Sequence, residues 1–383
     1  AGRVWAIEPG ARASEYLSRS IAANCFANIE VLTCALGAAD GRGVLVAGNG
    51  PETCRLDERA EGATVAIRAL DSLAAEHGIG DIDFVKIDVE GAEVSVLEGT
   101  AQLLARDAPL VMLEYRADKS VNEDVFASLY RHGYDCYRLV PGLNLLAPFY
   151  ESEEADEYQL NIFAAGARRA TRLAAERLLV RATDTGNAQQ DVAAVDALAG
   201  LPYAAGHAPQ WRNAFARVHP DYRAALCAYV AALDARRASA QRLHGLETAY
   251  QRLKELFSTR FSPGIAASFI RVARAYGQRA EAVAACRRLA TAVAKGEADN
   301  IFAQPFLPPW PHYDYVDPAG DDRGWLGAAT IECFEHLFQF SSYYKNQLAP
   351  EALGLTTEWR RWSPSFARRI ELFSRRFPVR DTH

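Results

Sequence analysis

Acidic residues directly follow three of the short apolar runs in this sequence. Glu8, Asp88 and Glu114 each come at the end of a run that has the length of a β-strand. Ligands of open α/β sheets bind beyond the carboxyl ends of the strands, so these positions are candidates for a functional site. A carboxylate there can accept hydrogen bonds from hydroxyl groups or take the proton of a hydroxyl nucleophile.

The first of these carboxylates is followed by a residue that restricts the chain. Pro9 has a fixed φ and therefore defines the turn that aims Glu8. An acidic side chain at this point can hold the two vicinal hydroxyls of an adenosine ribose. Taken alone, Glu8 is explained equally well as a surface carboxylate, and it does not distinguish S-adenosylmethionine from NAD.

The second carboxylate belongs to a denser acidic segment. Asp88, Glu90 and Glu93 lie within six residues, and Gly91 between them permits a tight turn. Glu90 and Glu93 fall near the first turn of the next predicted helix, where the helix dipole favours negative charge. Helix capping explains part of this pattern. Mutual repulsion of three carboxylates nevertheless favours a site that holds a cationic or protic group among them.

The elements that must position these residues alternate along the first half of the chain. Strand-length apolar runs alternate with helical patterns, which predicts a parallel, helix-covered sheet. The runs Phe84–Ile87 and 110–113 are nearly continuous in apolarity and are predicted to be central strands, buried on both faces. Apolar positions between 94 and 104 predict one helix, and the charged stretch 151–157 predicts a solvated loop.

Five short blocks of sequence occur in order across this region. They are Val-Trp-Ala-Ile-Glu-Pro at 4–9, Cys-Ala-Leu-Gly at 34–37, Ala-Leu-Asp-Ser-Leu at 69–73, Val-Lys-Ile-Asp-Val-Glu-Gly-Ala-Glu at 85–93 and Met-Leu-Glu at 112–114. Together they resemble the FkbM family of S-adenosylmethionine-dependent methyltransferases, from residue 3 to about residue 166. The resemblance implies a class I, Rossmann-like, doubly wound sheet and O-methylation of a hydroxyl on a glycan or small natural product.

The resemblance also implies which residues bind the cofactor, S-adenosylmethionine. Glu8, aimed by Pro9, would hold the ribose. The turn at Ala35 and Leu36 would border the adenine. Asp88 would lie close to the reactive sulfonium.

The same acidic segment supplies the candidate catalytic residues. A hydroxyl is a poor nucleophile, and a carboxylate within hydrogen-bond reach can take its proton as the new bond forms. Asp88, Glu90 and Glu93 are the candidates, with Glu114 behind them. We expect no metal, although two of these carboxylates could instead hold a divalent cation that polarises the acceptor hydroxyl.

The sequence departs from the family pattern at its beginning. Family members carry a glycine-rich loop after their first strand, and no such loop precedes Glu8. We therefore expect residues 1–167 to be a methyltransferase domain truncated at its N-terminus, without its first strand and half of the cofactor pocket. Such a chain is expected to be inactive alone, and its native gene to encode an upstream strand and a glycine-rich turn.

Strand patterns end after residue 167, and residues 168–383 are predicted to form an all-α domain. Ser262 and Pro263 are typical of a helix start. The apolar stripes on either side of Gly277 predict a helical hairpin that faintly resembles a tetratricopeptide repeat. The proline-rich, aromatic segment at 304–318 is predicted to be an ordered surface loop.

Three features of the second half have both a structural and a functional interpretation. Asp314 and Asp317 fit turns, and a metal bound by His312, Asp314 and Asp317 is the alternative. Glu332 and His336 fit a solvated ion pair on one helix face. The arginine-rich segment 359–380 predicts an amphipathic helix packed on its domain, and contact with a membrane surface or another anionic partner is the alternative.

The composition limits the classes of protein. A chain of 383 residues, half of them apolar, is long enough for two compact domains. A net charge of −6 argues against a nucleic-acid partner and favours small molecules or other proteins as partners. The resemblance to the FkbM family implies a small-molecule or glycan acceptor. Seven cysteines without metal-ligand spacing, no membrane-length apolar window and no leader predict a cytoplasmic protein. No oligomeric state is predicted.

Two functions remain in competition. The leading hypothesis is an S-adenosylmethionine-dependent methyltransferase whose helical half recruits substrate or a partner. The alternative is a catalytically vestigial fold that serves as a binding or scaffold protein through its helical half. An NAD-dependent enzyme would rest on Glu8 alone and is disfavoured by the segment around Asp88.

Overall fold

The computed structural model describes residues 2–47, 54–57, 64–89, 91–114, 121–150, 156, 161–184, 194–298, 300–338 and 362–376. The chain forms two compact units. The first comprises Ala1–Arg138, Pro148–Ala155 and Leu160–Glu176, and the second comprises Leu139–Ala147, Asp156–Gln159 and Arg177–His383. An α/β half followed by a helical half confirms the predicted fold class, whereas the domain boundary after residue 167 stays a prediction.

Residues 4–175 contain both strands and helices. In chain order they are β1 Val4–Ile7, α1 Ala11–Ala23, β2 Ile29–Leu32, β3 Ala35–Leu36, β4 Gly41–Ala47, β5 Cys54–Asp57, β6 Thr64–Arg68, α2 Leu70–His77, β7 Phe84–Ile87, α3 Glu93–Glu98, α4 Ala101–Asp107, β8 Leu110–Glu114, α5 Val121–Arg131, β9 Tyr134–Val140, β10 Leu145–Pro148, β11 Asn161–Gly166 and α6 Ala167–Ala175.

The described strands form three sheets of mixed direction, where one parallel sheet was predicted. β1 pairs with β2 in parallel. The largest sheet has the order β10-β9-β11-β8-β7, in which β7 and β8 are parallel and β11 runs antiparallel to β8 and β9. The third has the order β3-β6-β4-β5, with β3 parallel to β6. A crossover helix precedes only some of these strands, which is why the directions are mixed.

β8 is an internal strand as predicted, but β7 is not. Among the described strands β7 pairs only with β8, so it lies at the end of its sheet. Val85 and Ile87 face the core, while the side chain of Phe84 is 49% exposed. The continuous apolar run of β7 therefore did not indicate a strand that is buried on both faces.

Two short helices replace the single helix predicted between residues 94 and 104. α3 ends before Gly99, where a Cβ atom would lie 2.0 Å from the carbonyl oxygen of Gly37. The chain can pass Gly37 this closely only with glycine. Asp71 then caps α4, because its carboxylate accepts hydrogen bonds from the amides of Gln102 and Leu103, both at 2.9 Å.

The second unit is mainly helical. Its α-helices are α7 Ala194–Ala199, α8 Ala208–Phe215, α9 Pro220–Leu233, α10 Ser239–Thr259, α11 Pro263–Tyr276, α12 Arg279–Ala294, α13 Asp322–Leu337 and α14 Pro364–Arg376. The predicted helical hairpin is confirmed as α11 and α12: the Ser262 hydroxyl accepts from the amide of Ile265, and Gly277 has a φ of 103°. Likeness to a tetratricopeptide repeat stays a prediction.

Residues 304–318 contribute to the core of the second unit, so their prediction as a surface loop is wrong. Phe306 is fully buried. Prolines lack an amide hydrogen, which leaves fewer polar groups to satisfy in this segment. The remaining ones have partners: the Tyr203 hydroxyl donates to the carbonyl of Phe306 at 2.5 Å, and the Leu307 amide donates to Ser268 Oγ at 2.9 Å.

The two aspartates of this segment differ from each other. Asp317 accepts from the amide of Ala319 at 2.6 Å, as turn chemistry predicts. Asp314 is buried and forms an ion pair with Arg271, with Oδ2 2.5 Å from Nη2. Neither a turn nor a metal is needed to explain Asp314.

The solvated ion pair predicted on α13 is also wrong, because Glu332 is buried and the side chain of His336 is only 19% exposed. Glu332 is 0% exposed and accepts hydrogen bonds from the hydroxyls of Ser363 and Tyr313. His336 stacks on Trp310 with ring centroids 4.4 Å apart, and burial lowers the pKa of His336 to about 4. A neutral imidazole forms no ion pair near neutral pH.

The structure describes parts of two charged segments of the sequence, Asp156 and α14. Asp156 is buried and accepts from the amide of Ala280 at 2.8 Å, so this residue of the predicted solvated loop is not solvated; 151–155 and 157 lie outside the described residues. α14 is the predicted amphipathic helix, with Phe366 fully buried and Arg368 exposed. No helix among the described residues has the length and apolarity needed to cross a bilayer.

Candidate functional site

The turn from β1 to α1 holds Glu8 in a defined orientation. Glu8 extends the ladder to β2, since its amide donates to the carbonyl of Leu32 at 3.1 Å. Its carboxylate Oε1 accepts from the amide of Gly10 at 2.7 Å, and its carbonyl accepts from the hydroxyl of Ser14 at 2.9 Å. Gly10 is the N-cap of α1, so the positive end of the helix dipole stabilises the carboxylate. Pro9, between them, is half-buried.

Ala35 and Leu36 form the short strand β3, where a turn was expected. Their pairing with β6 is extended by the amide of Gly37. Beyond it, the amide of Ala38 donates to Ser95 Oγ of α3 at 3.0 Å. The segment proposed to border the adenine is therefore tied to the helix that follows Asp88.

Asp88 follows β7 and carries an ion pair. Lys86, two residues earlier and hence on the same face of the strand, donates from Nζ to Asp88 Oδ2 at 2.5 Å. The two side chains are 50% and 47% exposed, so the pair contributes about 1 kcal/mol or less to stability. Its main effect is to hold the carboxylate at the carboxyl end of the strand.

Glu93 has a different environment from Asp88. It is the first residue of α3 and is 6% exposed. Its Oε1 accepts from the amide of Gly91 at 3.1 Å, and Gly91 has a φ of 101°, in the region that favours glycine. These contacts indicate that Glu93 stabilises the turn after Asp88. Glu90 lies outside the described residues.

A shared core brings the predicted site elements together. Trp5 and Ile7 of β1, Leu36 of β3 and Val85 of β7 pack against one cluster that includes Leu73 of α2. Glu8 follows Ile7 directly, and Asp88 lies three residues after Val85. Both carboxylates and the β3 segment are thus positioned by elements that share one hydrophobic cluster.

The chain was compared with protein families, curated proteins and solved structures. Residues 1–136 match the methyltransferase FkbM domain. This confirms the family resemblance drawn from the five sequence blocks, and residues 137–383 lie outside the match. No curated protein matches the chain.

One solved structure is similar to part of the chain. It is the crystal structure of methyltransferase FkbM from Methylobacillus flagellatus KT, at 18% sequence identity and a TM-score of 0.27. The similarity covers 43% of this chain and 36% of that chain.

Several residues within the FkbM match have structural roles in this chain. Cys34 is a buried thiol whose pKa is raised by burial, so it packs as a neutral side chain and is not a nucleophile. Asp71 caps α4, and Gly99 makes room for the carbonyl oxygen of Gly37, as described above. The described residues include no cluster of three or more His, Cys, Asp or Glu that could bind a metal ion.

The structure adds two polar residues that sequence analysis missed. Lys86 pairs with Asp88, and Asn161 lies opposite Glu114 in the register of β11 and β8. Ile87 lies beside Leu113, so the next residues, Asp88 and Glu114, are neighbours at the strand ends. Asp88, Glu114 and Asn161 therefore form a polar row across three strands. For Asn161, the only signal in the sequence was an asparagine at the start of an apolar run.

The environment of Glu93 leads to a prediction. Glu93→Gln keeps an oxygen to accept from Gly91 but removes a charge at a helix N-terminus, so it should cost about 0.5–1 kcal/mol of unfolding free energy. Affinity for S-adenosylmethionine should stay within about twofold, in line with a capping role outside the binding contacts. Denaturation and calorimetry measure the two quantities.

Glu98→Gln is the matched control, because Glu98 is exposed at the opposite end of α3. Removing a negative charge near a helix C-terminus should not destabilise the domain. A Glu93→Gln variant of unchanged stability whose methyl transfer collapses would instead assign Glu93 to catalysis.

Proposed function

We propose that the chain is an S-adenosylmethionine-dependent O-methyltransferase whose donor site lies at the carboxyl ends of β1, β3 and β7. The proposal rests chiefly on Glu8. Within a match to the FkbM domain, a carboxylate stands at the end of a parallel strand and is already oriented by Gly10 and Ser14. That placement suits recognition of a ribose diol.

The residues present fit the ribose and adenine parts of this cofactor. Glu8 Oε1 accepts one hydrogen bond from Gly10, and a carboxylate offers about four acceptor positions in all, which leaves capacity for two hydroxyls. Leu36 is half-buried and presents apolar surface next to a segment anchored by Ser95. When bound, S-adenosylmethionine supplies an electrophilic methyl group on a sulfonium.

Asp88 is the proposed general base. The acceptor oxygen forms a bond to the methyl carbon, the carbon–sulfur bond breaks, and the hydroxyl proton passes to the Asp88 carboxylate. Lys86 holds Oδ2 of that carboxylate at 2.5 Å and so limits its orientations. Orienting the acceptor accounts for much of the rate enhancement in a displacement of this kind.

The acceptor is proposed to be a hydroxyl of a glycan or small natural product. Asp88, Glu114 and Asn161 present both acceptors and an amide donor across neighbouring strand ends, which suits a molecule with several hydroxyls. We further propose that the helical unit recruits this acceptor or a protein partner. We also propose a cytoplasmic location, which agrees with the absence of a disulfide at Cys25, Cys34, Cys286 and Cys333 among the described residues.

The direct test is methyl transfer. The full-length product of the gene is incubated with S-adenosylmethionine carrying a deuterated methyl group and with a panel of glycans and hydroxylated small molecules, and products are analysed by mass spectrometry. We expect one labelled methyl group on an acceptor hydroxyl and none with Glu8→Ala. Glu15→Ala, on the exposed side of α1, should act as wild type. Cofactor binding without transfer to any acceptor would favour the vestigial alternative.

A further inference from the structure

We propose that Gly10 is a positioning residue, whose missing side chain makes room for the carboxylate of Glu8. The inference rests on the proposed function, because it assumes that Glu8 binds S-adenosylmethionine. It concerns the residue two positions after Glu8, to which the sequence patterns assigned no role.

Backbone freedom does not explain a glycine at this position. Gly10 has φ −74° and ψ 112°, an extended conformation that any residue can adopt. N-cap preference does not explain it either, since residues with side-chain acceptors cap helices at least as well. The reason must lie in what surrounds the position.

A side chain at position 10 would meet the carboxylate. A Cβ atom built on Gly10 lies 2.8 Å from Glu8 Oε1, whereas the next side chain, the methyl group of Ala13, is at an ordinary contact distance of 3.6 Å. The crowded atom is the end of a flexible side chain and not backbone. A larger residue would therefore displace the Glu8 carboxylate and leave the fold in place.

Gly10 also supplies the donor that holds the carboxylate. Its amide donates to Oε1 at 2.7 Å, a charge-assisted hydrogen bond at the N-terminus of the 13-residue helix α1. Ser14 fastens the same turn through the carbonyl of Glu8. A Cβ atom at position 10 would push Oε1 away from its present position on this amide.

The test is a double-mutant cycle read by calorimetric titration of the full chain with S-adenosylmethionine. Gly10→Ala should weaken binding about tenfold, the size expected for losing one charge-assisted hydrogen bond, with only a small fall in melting temperature, because alanine is a poorer N-cap than glycine. Gly2→Ala is the matched control before the other end of β1, where a Cβ atom would meet nothing within 4 Å. It should bind as wild type.

The cycle separates positioning from a general structural effect. In a Glu8→Ala background, Gly10→Ala should cause no further loss of affinity, because there is no carboxylate to displace. The proposal is overturned if Gly10→Ala binds as wild type, or if it weakens binding equally in both backgrounds. Failure of the wild-type chain to bind would overturn the proposed function, and the positioning role with it.

Discussion

Asp88→Asn is expected to lower the rate of methyl transfer by about 10²–10⁴-fold, the usual contribution of a general base. Asparagine has nearly the same shape and keeps an oxygen for Lys86, but it cannot take the proton of the acceptor hydroxyl. The loss should appear in kcat, whereas affinity for S-adenosylmethionine should change only a few-fold. Steady-state kinetics with an accepted hydroxyl substrate measures both.

Asp83→Asn is the control for this substitution. Asp83 precedes β7 at its opposite end, and its side chain is 75% exposed and pairs with Arg169. The same chemical change there should leave kcat unaltered. If Asp88→Asn retains wild-type kcat, Asp88 is not the base, and Glu114 or Glu90 becomes the candidate.

The second large effect is expected on stability. Asp314→Ala should reduce the unfolding free energy of the helical unit by about 3–5 kcal/mol, because it leaves the buried guanidinium of Arg271 without its counter-charge. Arg271 is 6% exposed and also donates to Tyr229 and to the carbonyl of Pro308. Burial lowers the pKa of Arg271, whereas Tyr229 and Asp314 raise it, and the net shift is upward. A guanidinium is not deprotonated in proteins, so the variant leaves a buried charge without its counter-charge.

An exposed ion pair of the same unit provides the control for Asp314→Ala. Asp221 and Arg252 approach to 2.5 Å, but their side chains are 52% and 40% exposed. Asp221→Ala should therefore cost about 1 kcal/mol or less. Denaturation of the full chain followed by tryptophan fluorescence reports on both variants, since Trp211 and Trp325 are fully buried in this unit. Equal losses of unfolding free energy in the two variants would show that burial of the Arg271–Asp314 pair does not increase its contribution to stability.

Local patterns predicted much of the α/β half. Glu8 and Asp88 were expected at strand ends, and both strands have the predicted bounds. Such features depend on a few consecutive residues. The edge position of β7 depends instead on which strands lie beside it, and no run of four apolar residues carries that information.

The buried polar contacts of the helical half could not be predicted in this way. Arg271 and Asp314 are 43 residues apart, and Glu332 meets Ser363 across 31 residues. On its own helix, Glu332 resembled one half of a solvated i,i+4 pair. Only the fold shows that a second segment covers it and satisfies its carboxylate.

Residue spacing alone did not distinguish two carboxylates of the acidic segment after β7. Asp88 and Glu93 were equivalent candidates in the sequence. In the structure Asp88 is half-exposed beside Lys86, whereas Glu93 is buried on the amide of Gly91. Exposure, and not position in the motif, therefore distinguishes Asp88, whose carboxylate an acceptor can reach.

Calorimetric titration of the full chain with S-adenosylmethionine tests the central claim most directly. Our account predicts saturable binding at one site in the wild type and weaker, still measurable binding in Glu8→Ala, with Glu15→Ala unaffected. A wild-type chain that gives no saturable heat, or a Glu8→Ala variant that binds as tightly as wild type, would contradict it.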